Sequence, residues 1–494
     1  MLFNSLEFLY AFLPITLLAF AFARHRGSAR EMLWVIVAAS LVFYSYLNLR
    51  NLPLLLGSIL CNYLVGERLK VRPGKGFLAL GVGFNVGLLA YYKYTNFIME
   101  NVSSLFGWNL PNLEIVLPLG ISFFTFTQIA FLVDSYHQKT RGNSIEEYAA
   151  FVTIFPHLIA GPILHHKHII DQFRSPAFLA VSQKRFTAGL VLLLTGLVKK
   201  VAVADTLAPW VGNAFTHSAE LTLLDAWAGA LAYTFQLYYD FSGYTDMALG
   251  LGLMLNIRLP DNFNAPYQSR SITEFWRRWH ITLSGFLKEY IYIPLGGNRR
   301  GRAMRYRNLL LTMLIGGIWH GAGWTFFVWG AGHGLLLALN RWTRELGIHL
   351  HRHLAWLATF ICVVCLWVVF RATSLGQAGE VLSAMIGLNG CVLPQRYASF
   401  FGFMAGSGVR FADLSSLLPG GRYQVAFLAL LLCAIPLKKE MLYARVFGSG
   451  DIAETGLDSA SCRPAMAFLF GIAAFAVTKA IMTAEATEFL YFNF

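Results

Sequence analysis

The sequence predicts an all-α protein that crosses a membrane many times. Composition gives the first reason. Of the 494 residues, 56% are hydrophobic and only 13% charged, with a mean hydropathy of +0.54, whereas soluble domains carry about 25% charged residues. Recurrence gives the second. Apolar runs approaching the roughly 20 residues that span a bilayer lie at 6–23, 32–49, 77–94, 115–133, 186–203, 309–318, 326–339, 354–370, 423–437 and 465–481. On the order of ten to twelve segments are expected, some short or re-entrant.

The first run has no basic residue ahead of it and no small-residue cleavage site, so it reads as a retained anchor. Arg24, Arg26 and Arg30 follow it, while the loop 101–114 holds an acid and no base. The positive-inside rule then puts the N-terminus outside and Arg68, Lys70, Arg72 and Lys75 in the cytoplasm. The net charge of +13 sits in short loops of this kind, so orientation accounts for it and nucleic acid is not an expected partner. Six scattered cysteines imply no disulfide framework. The pair Cys362-x-x-Cys365 falls in an apolar helix and reads as packing.

Ionisable groups at membrane depth are costly and mark function by default. In HHKHIID, residues 165–171, His166 and Asp171 form an H-x4-D pair resembling that of glycerolipid acyltransferases, although histidines in a basic loop also meet lipid headgroups. In TFQLYYDFSGYTDMALGLG, residues 234–252, Asp240 and Asp246 lie in or beside an apolar run. Gln236, Tyr239, Ser242, Tyr244 and Thr245 offer the hydrogen bonds that buried carboxylates need. A structural network and a direct role in chemistry are both open there.

Residues 256–307 are not a clean span. Trp and Tyr mix with Arg, and Ala265-Pro266 and Gly296-Gly297 break helices, so the spacing predicts short helices and loops buried in protein or lying at the interface. Within it, EFWRRWHITLS sets His280 beside Arg277 and Arg278, which suits a phosphate-bearing ligand. In IGGIWHGAGWTFFVWGAGHG, residues 315–334, glycines that permit close backbone approach flank His320. His320 is a functional candidate, the alternative being a neutral imidazole bonded to a neighbouring helix. His333 reads as packing. His349, His351 and His353 lack the carboxylate or thiolate company of a zinc site. Residues 377–422 read as a loop over one membrane face. No G-x-S-x-G elbow, Walker A loop or H-E-x-x-H occurs, so serine hydrolase, P-loop ATPase and zincin readings lose support.

Five segments carry a resemblance: LPLGISFFTFTQIAFLVDSY, FPHLIAGPI, QLYYDFSGYTDMALGLGL, SITEFWRRWHITLSGFLKEYIYIPLGGNRRG and LTMLIGGIWHGAGWTFFVWGAGHG. Together they resemble the membrane-bound O-acyltransferase family, in particular its bacterial branch of alginate O-acetyltransferases. The likeness runs from the N-terminus to about Arg371. It implies a membrane core over 1–371, followed over 372–494 by a C-terminal loop region and terminal transmembrane helices. Relatives in that branch act on cellulose, on peptidoglycan or in teichoic acid D-alanylation.

The resemblance further implies a ring of tilted helices around a central tunnel. His320 matches the family's near-invariant catalytic histidine, and His280 its second important position. It implies acetyl transfer from cytoplasmic acetyl-CoA to an acceptor across the membrane, with no tightly bound cofactor and no metal. A neutral imidazole at His320 suits the general base, and His280 would orient substrate or donate to the developing oxyanion. Arg277, Arg278, Arg299, Arg300 and Arg302 suit the phosphates of coenzyme A on the cytoplasmic side, and equally suit lipid headgroups and the orientation bias. Trp279, Asp240, Ser242, Asp246 and Asn298 are further candidates for substrate or donor binding. The expected setting is a bacterial inner membrane with the N-terminus periplasmic. Expected partners are lipids and periplasmic acetylation or polysaccharide-secretion proteins. Three other readings stay open: a carrier-protein thioester as donor, a transporter with His320, Asp240 and Asp246 in a proton path, and a non-catalytic scaffold. No internal repeat supports the transporter.

Overall fold

The computed structural model describes residues 1–140, 142–412, 420–435, 464–483 and 487–490. The helices that matter below are α1 (Leu13–His25), α2 (Ala29–Ser45), α3 (Leu52–Val71), α4 (Lys75–Phe106), α5 (Ile121–Tyr136), α6 (Ile145–Thr153), α7 (His166–Phe173), α8 (Gln183–Val198), α9 (Asp205–Thr216) and α10 (Leu223–Met254). They continue with α11 (Ile272–Arg278), α12 (Ile281–Leu287), α13 (Gly301–His320), α14 (Trp324–Glu345), α15 (Arg352–Arg371), α16 (Leu375–Met385), α17 (Gly421–Ala434) and α18 (Pro464–Thr483). The described departure from helix is a two-stranded parallel sheet of β1 (Cys391–Pro394) and β2 (Val409–Ala412), within the stretch read as a loop.

Every apolar run of the sequence falls on a helix. The run 423–437 lies on α17, with its last two residues outside the described ones, as is Cys462. Four helical stretches among the described residues are long and apolar enough to cross a membrane: Phe8–His25, Leu49–Val71, Gln183–Thr216 and Arg352–Arg371. Helices α13 and α14, at 20 and 22 residues, are as long but carry charged ends. The helix begun by the run 77–94 extends to Phe106, so the acidic loop after it is shorter than the sequence suggested.

The chain packs as two compact units. The first comprises Met1–Val198, Phe241–Asn262 and Tyr443–Phe494, the second Lys199–Asp240 and Phe263–Leu442. In the first, α1 packs on α2, α2 on α6, and α3, α4 and α5 on one another. Phe3, Phe8, Phe12, Phe43 and Phe155 form its aromatic centre, for example with Phe12 edge-on to Phe155 at 5.3 Å. Helix α8 meets the later part of α10 through facing glycines. A Cβ on Gly189 would lie 2.5 Å from the Gly250 carbonyl oxygen, and one on Gly196 2.4 Å from that of Gly243. Such contacts let backbones approach where bilayer lipid offers no hydrophobic drive.

One buried cluster of this unit joins three helices through amide and hydroxyl groups. Asn62 and Asn85 exchange side-chain bonds of 3.2 and 2.6 Å, Ser58 donates to Gln128 at 2.8 Å, and Asn62 also donates to Gln128. At the start of α6, Ser144 and Glu147 form a reciprocal capping box. Arg174 then clamps the Glu147 carboxylate through two bonds of 2.7 Å.

In the second unit, α13 and α14 form an antiparallel hairpin whose backbones nearly touch. A Cβ on Gly330 would lie 2.6 Å from the Met313 carbonyl oxygen, and one on Gly317 2.4 Å from that of Phe326. Gly334 repeats the contact one turn on, 2.9 Å from Leu310 Cα. The glycine-rich motif is therefore the seam of this hairpin. Helix α14 also packs on α11 and α15, and α15 on α16.

Candidate active site

His320 is the last residue of α13 and is 4% exposed. Its ring meets Trp319 at 4.8 Å, Trp329 edge-on at 5.2 Å and Phe370 at 5.3 Å. The chain leaves the helix through Gly321, where a Cβ would lie 2.1 Å from the Phe326 ring, so that ring closes over the turn behind the histidine. His280 is fully buried between α11 and α12. Its backbone is left-handed, with φ 42° and ψ 57°, a conformation that costs a non-glycine residue about 1–3 kcal/mol and gathers at functional positions. Its ring lies 6.4 Å from Trp319, so one indole neighbours both histidines.

The stretch 256–307 folds as short elements, as its breaks predict. Ser271 caps α11 by accepting from the Glu274 amide at 3.1 Å, and Asn264 donates its amide to the Arg278 carbonyl at 2.9 Å. A π turn, Lys288–Tyr292, follows α12. Gly296 and Gly297 then turn the chain at φ 109° and 51°, and Asn308 of α13 donates to the Leu295 and Gly297 carbonyls, pinning the turn.

The predicted basic and polar residues separate into groups. Arg277 is exposed and lines a cavity of about 380 Å³ with Lys288, Asn298, Arg305, Arg341 and Tyr292. Tyr292 donates to Asn298 at 2.7 Å. Glu345 is the carboxylate beside this cluster, accepting from Arg305 and from Arg341 at 2.9 Å. The cavity climbs α13 past Arg305, Leu309, Thr312 and Met313. His320 lies seven residues beyond Met313, within about 20° of the same helical face. Arg278 is not among the lining residues. It is tied to Glu274 at 2.8 Å and donates to the Asn264 carbonyl. Arg299 and Arg300 are exposed at the mouth of α13, and Arg302 lies 3.7 Å from Glu345. Trp279 is enclosed by Trp367 at 4.8 Å, Phe263 at 5.0 Å and Phe275 at 5.7 Å.

Asp240 carries a partner that the sequence reading missed. Lys200, 2% exposed, donates to Asp240 at 2.7 Å and lies 3.0 Å from Asp205. It stands in the π turn Lys199–Ala204 that follows α8. Ser242 and Asp246 are buried on the part of α10 that belongs to the first unit. His333 accepts from the Trp276 indole N–H at 3.2 Å and lies among Trp329, Phe275 and Trp367. The His166–Asp171 dyad does not form. His166 is buried against Phe131 and Phe151 and bonded to Asn143, while Asp171 is exposed on the same short helix.

Residues 11–376 match the membrane-bound O-acyltransferase family. The chain belongs to that family. This acyltransferase is 44% identical over 428 residues to the peptidoglycan O-acetyltransferase of Helicobacter pylori, covering 80% of this chain and 81% of the relative. It is 45% identical over 399 residues to a protein named probable alginate O-acetylase in Pseudomonas aeruginosa, covering 78% and 75%. A more distant relative is the teichoic acid D-alanyltransferase of Streptococcus thermophilus, 26% identical over 240 residues and covering 46% and 58%.

Proposed function

We propose that this membrane acyltransferase O-acetylates an extracytoplasmic polysaccharide, with His320 as general base and acetyl-CoA as donor. The acceptor hydroxyl oxygen attacks the thioester carbonyl carbon while the His320 imidazole takes its proton. The carbon–sulfur bond then breaks and the thiolate leaves. Base catalysis of this kind contributes roughly 10²–10⁴-fold. His280, held in its strained turn, would donate to the developing oxyanion.

The observation that carries the reading is the line along α13. Its cationic cavity starts at Arg305 and its histidine ends the helix, about 22 Å away by helical rise. A phosphopantetheine arm is an extended chain of the kind that bridges anion-binding arginines and a reacting thioester. Arg277, Lys288, Arg305 and Arg341 would hold the phosphates. Carrier-protein thioesters present the same arm, which keeps the carrier donor as the second reading.

The positive-inside pattern supports an inner-membrane protein with its N-terminus periplasmic and the α13 mouth cytoplasmic. Periplasmic acetylation or polysaccharide-secretion partners would complete delivery. The test is single-turnover acetyl transfer by the purified chain, given labelled acetyl-CoA or a labelled acetyl-carrier. Thiol release from acetyl-CoA, with a KM raised about tenfold and kcat kept in Arg277→Ala, is expected. Turnover with the carrier thioester alone would replace acetyl-CoA in the account.

A further inference from the structure

A second cavity lies apart from the histidines. It occupies about 700 Å³ between α14 and α15. Its α15 wall is Ala355, Ala358, Thr359 and Cys362, and its α14 wall is Leu336, Leu339, Asn340 and Thr343. Each set follows the i, i+3, i+4, i+7 spacing of one helical face. Small side chains on α15 hold the groove open against leucines on α14.

One end of the groove is cationic. Arg344 closes α14, Arg352 opens α15, and Arg270 reaches the same end from the turn before α11. All three are exposed, and none forms an ion pair with a carboxylate among the described residues. The contrast with the neighbouring cluster is direct, since Arg305 and Arg341 share Glu345. From Arg352 to Cys362 the groove runs about 15 Å by helical rise, half of the ~30 Å hydrocarbon thickness, so it spans one leaflet. Because Glu345 binds Arg305, the cationic end lies level with the basic start of α13, the side assigned to the cytoplasm.

We infer that this groove binds an anionic diacyl phospholipid, its phosphate between Arg270, Arg344 and Arg352 and an acyl chain along the small face of α15. Basic clefts between membrane helices on the cytoplasmic side favour anionic headgroups. The alanine face supplies the selectivity for a lipid over a soluble phosphate, because a headgroup alone leaves the apolar part of the groove unfilled.

The full-length chain, purified in detergent with an equal mixture of phosphatidylglycerol and phosphatidylcholine, is analysed by native mass spectrometry. Retention of one phosphatidylglycerol in preference to phosphatidylcholine is expected. Arg344→Gln with Arg352→Gln should lower that retention roughly tenfold. Ala358→Leu, which keeps every charge and fills the groove, should lower it as well, so the inference does not depend on the double variant folding. Equal retention of the two lipids, unchanged retention in Ala358→Leu, or displacement of the lipid by glycerol phosphate at matched concentration would each overturn it.

Discussion

The amide cluster of the first unit and the two candidate histidines of the second are buried in different surroundings. In the first, Asn62, Asn85, Ser58 and Gln128 are neutral and bond to one another across α3, α4 and α5. In the second, His320 and His280 are lined by the rings of Trp319, Trp329 and Phe370. An amide cluster is glue between helices, worth about 0.6–2 kcal/mol per bond in membranes. An imidazole walled by aromatic faces has a fixed place and a protected surface, which is what proton transfer in a dry site requires. The difference teaches that burial of a polar residue at membrane depth is not by itself a sign of chemistry; what surrounds it decides.

The strongest test of this contrast concerns the charged pair of the second unit. Lys200→Met leaves Asp240 buried without its cation and should cost about 3–5 kcal/mol, read as a fall in the thermal unfolding midpoint in detergent. Adding Asp240→Asn should restore much of the loss. If the single variant is as stable as wild type, the pair is not structural. The next effect is steric. Gly330→Leu drives a side chain into the Met313 carbonyl, splaying α13 from α14 at an expected 1–3 kcal/mol and displacing His320. Acetyl transfer should fall further than stability, which an activity assay on the folded fraction resolves.

Asn85→Leu should act on the first unit alone. It removes one side of the amide exchange and leaves Asn62 short of a partner, costing about 1–2 kcal/mol in unfolding measurements while per-molecule activity holds. An activity loss larger than the stability loss would blur the distinction between the units. The smallest effect lies outside the spans. Burial pushes the Glu147 carboxyl up, but its bonds to Arg174 and Ser144 outweigh that and hold it below the ordinary carboxylate value. A depressed folded-state value means that its stabilisation is present above the unfolded pKa and is lost as pH falls through the folded one. Stability below about pH 4 should therefore decline less steeply in Glu147→Gln than in wild type, by under about 1 kcal/mol, since Arg174 is partly solvated.

The helices and the histidines were legible because both leave one-dimensional traces. Apolar runs marked α1, α2, α4, α5, α8, α13, α14, α15, α17 and α18 but not α3 or α10, whose apolar stretches are broken by polar residues; the glycines around His320 foretold a backbone seam that Gly317, Gly330 and Gly334 form. What escaped was the pairing of distant residues. Lys200 drew no notice within the run 186–203, since nothing local ties it to Asp240, 40 positions on. Phe370 and Trp329 read as ordinary span residues until helix packing brought them to His320. Arg305 and Arg341, on different helices, likewise converge only in three dimensions. The His166–Asp171 spacing misled for a simple reason. Five residues on a helix turn about 140°, so the two side chains leave α7 on different faces.

The central claim is that His320 is the transfer base while His333, equally buried in the same aromatic cluster, is packing. Single-turnover transfer from acetyl-labelled coenzyme A tests it most directly, comparing wild type, His320→Ala and His333→Ala at matched folded fraction. His320→Ala should lose roughly 10²–10⁴-fold with its unfolding midpoint kept, and His333→Ala should show a lowered midpoint with a much smaller loss per folded molecule. Wild-type turnover in folded His320→Ala would contradict it.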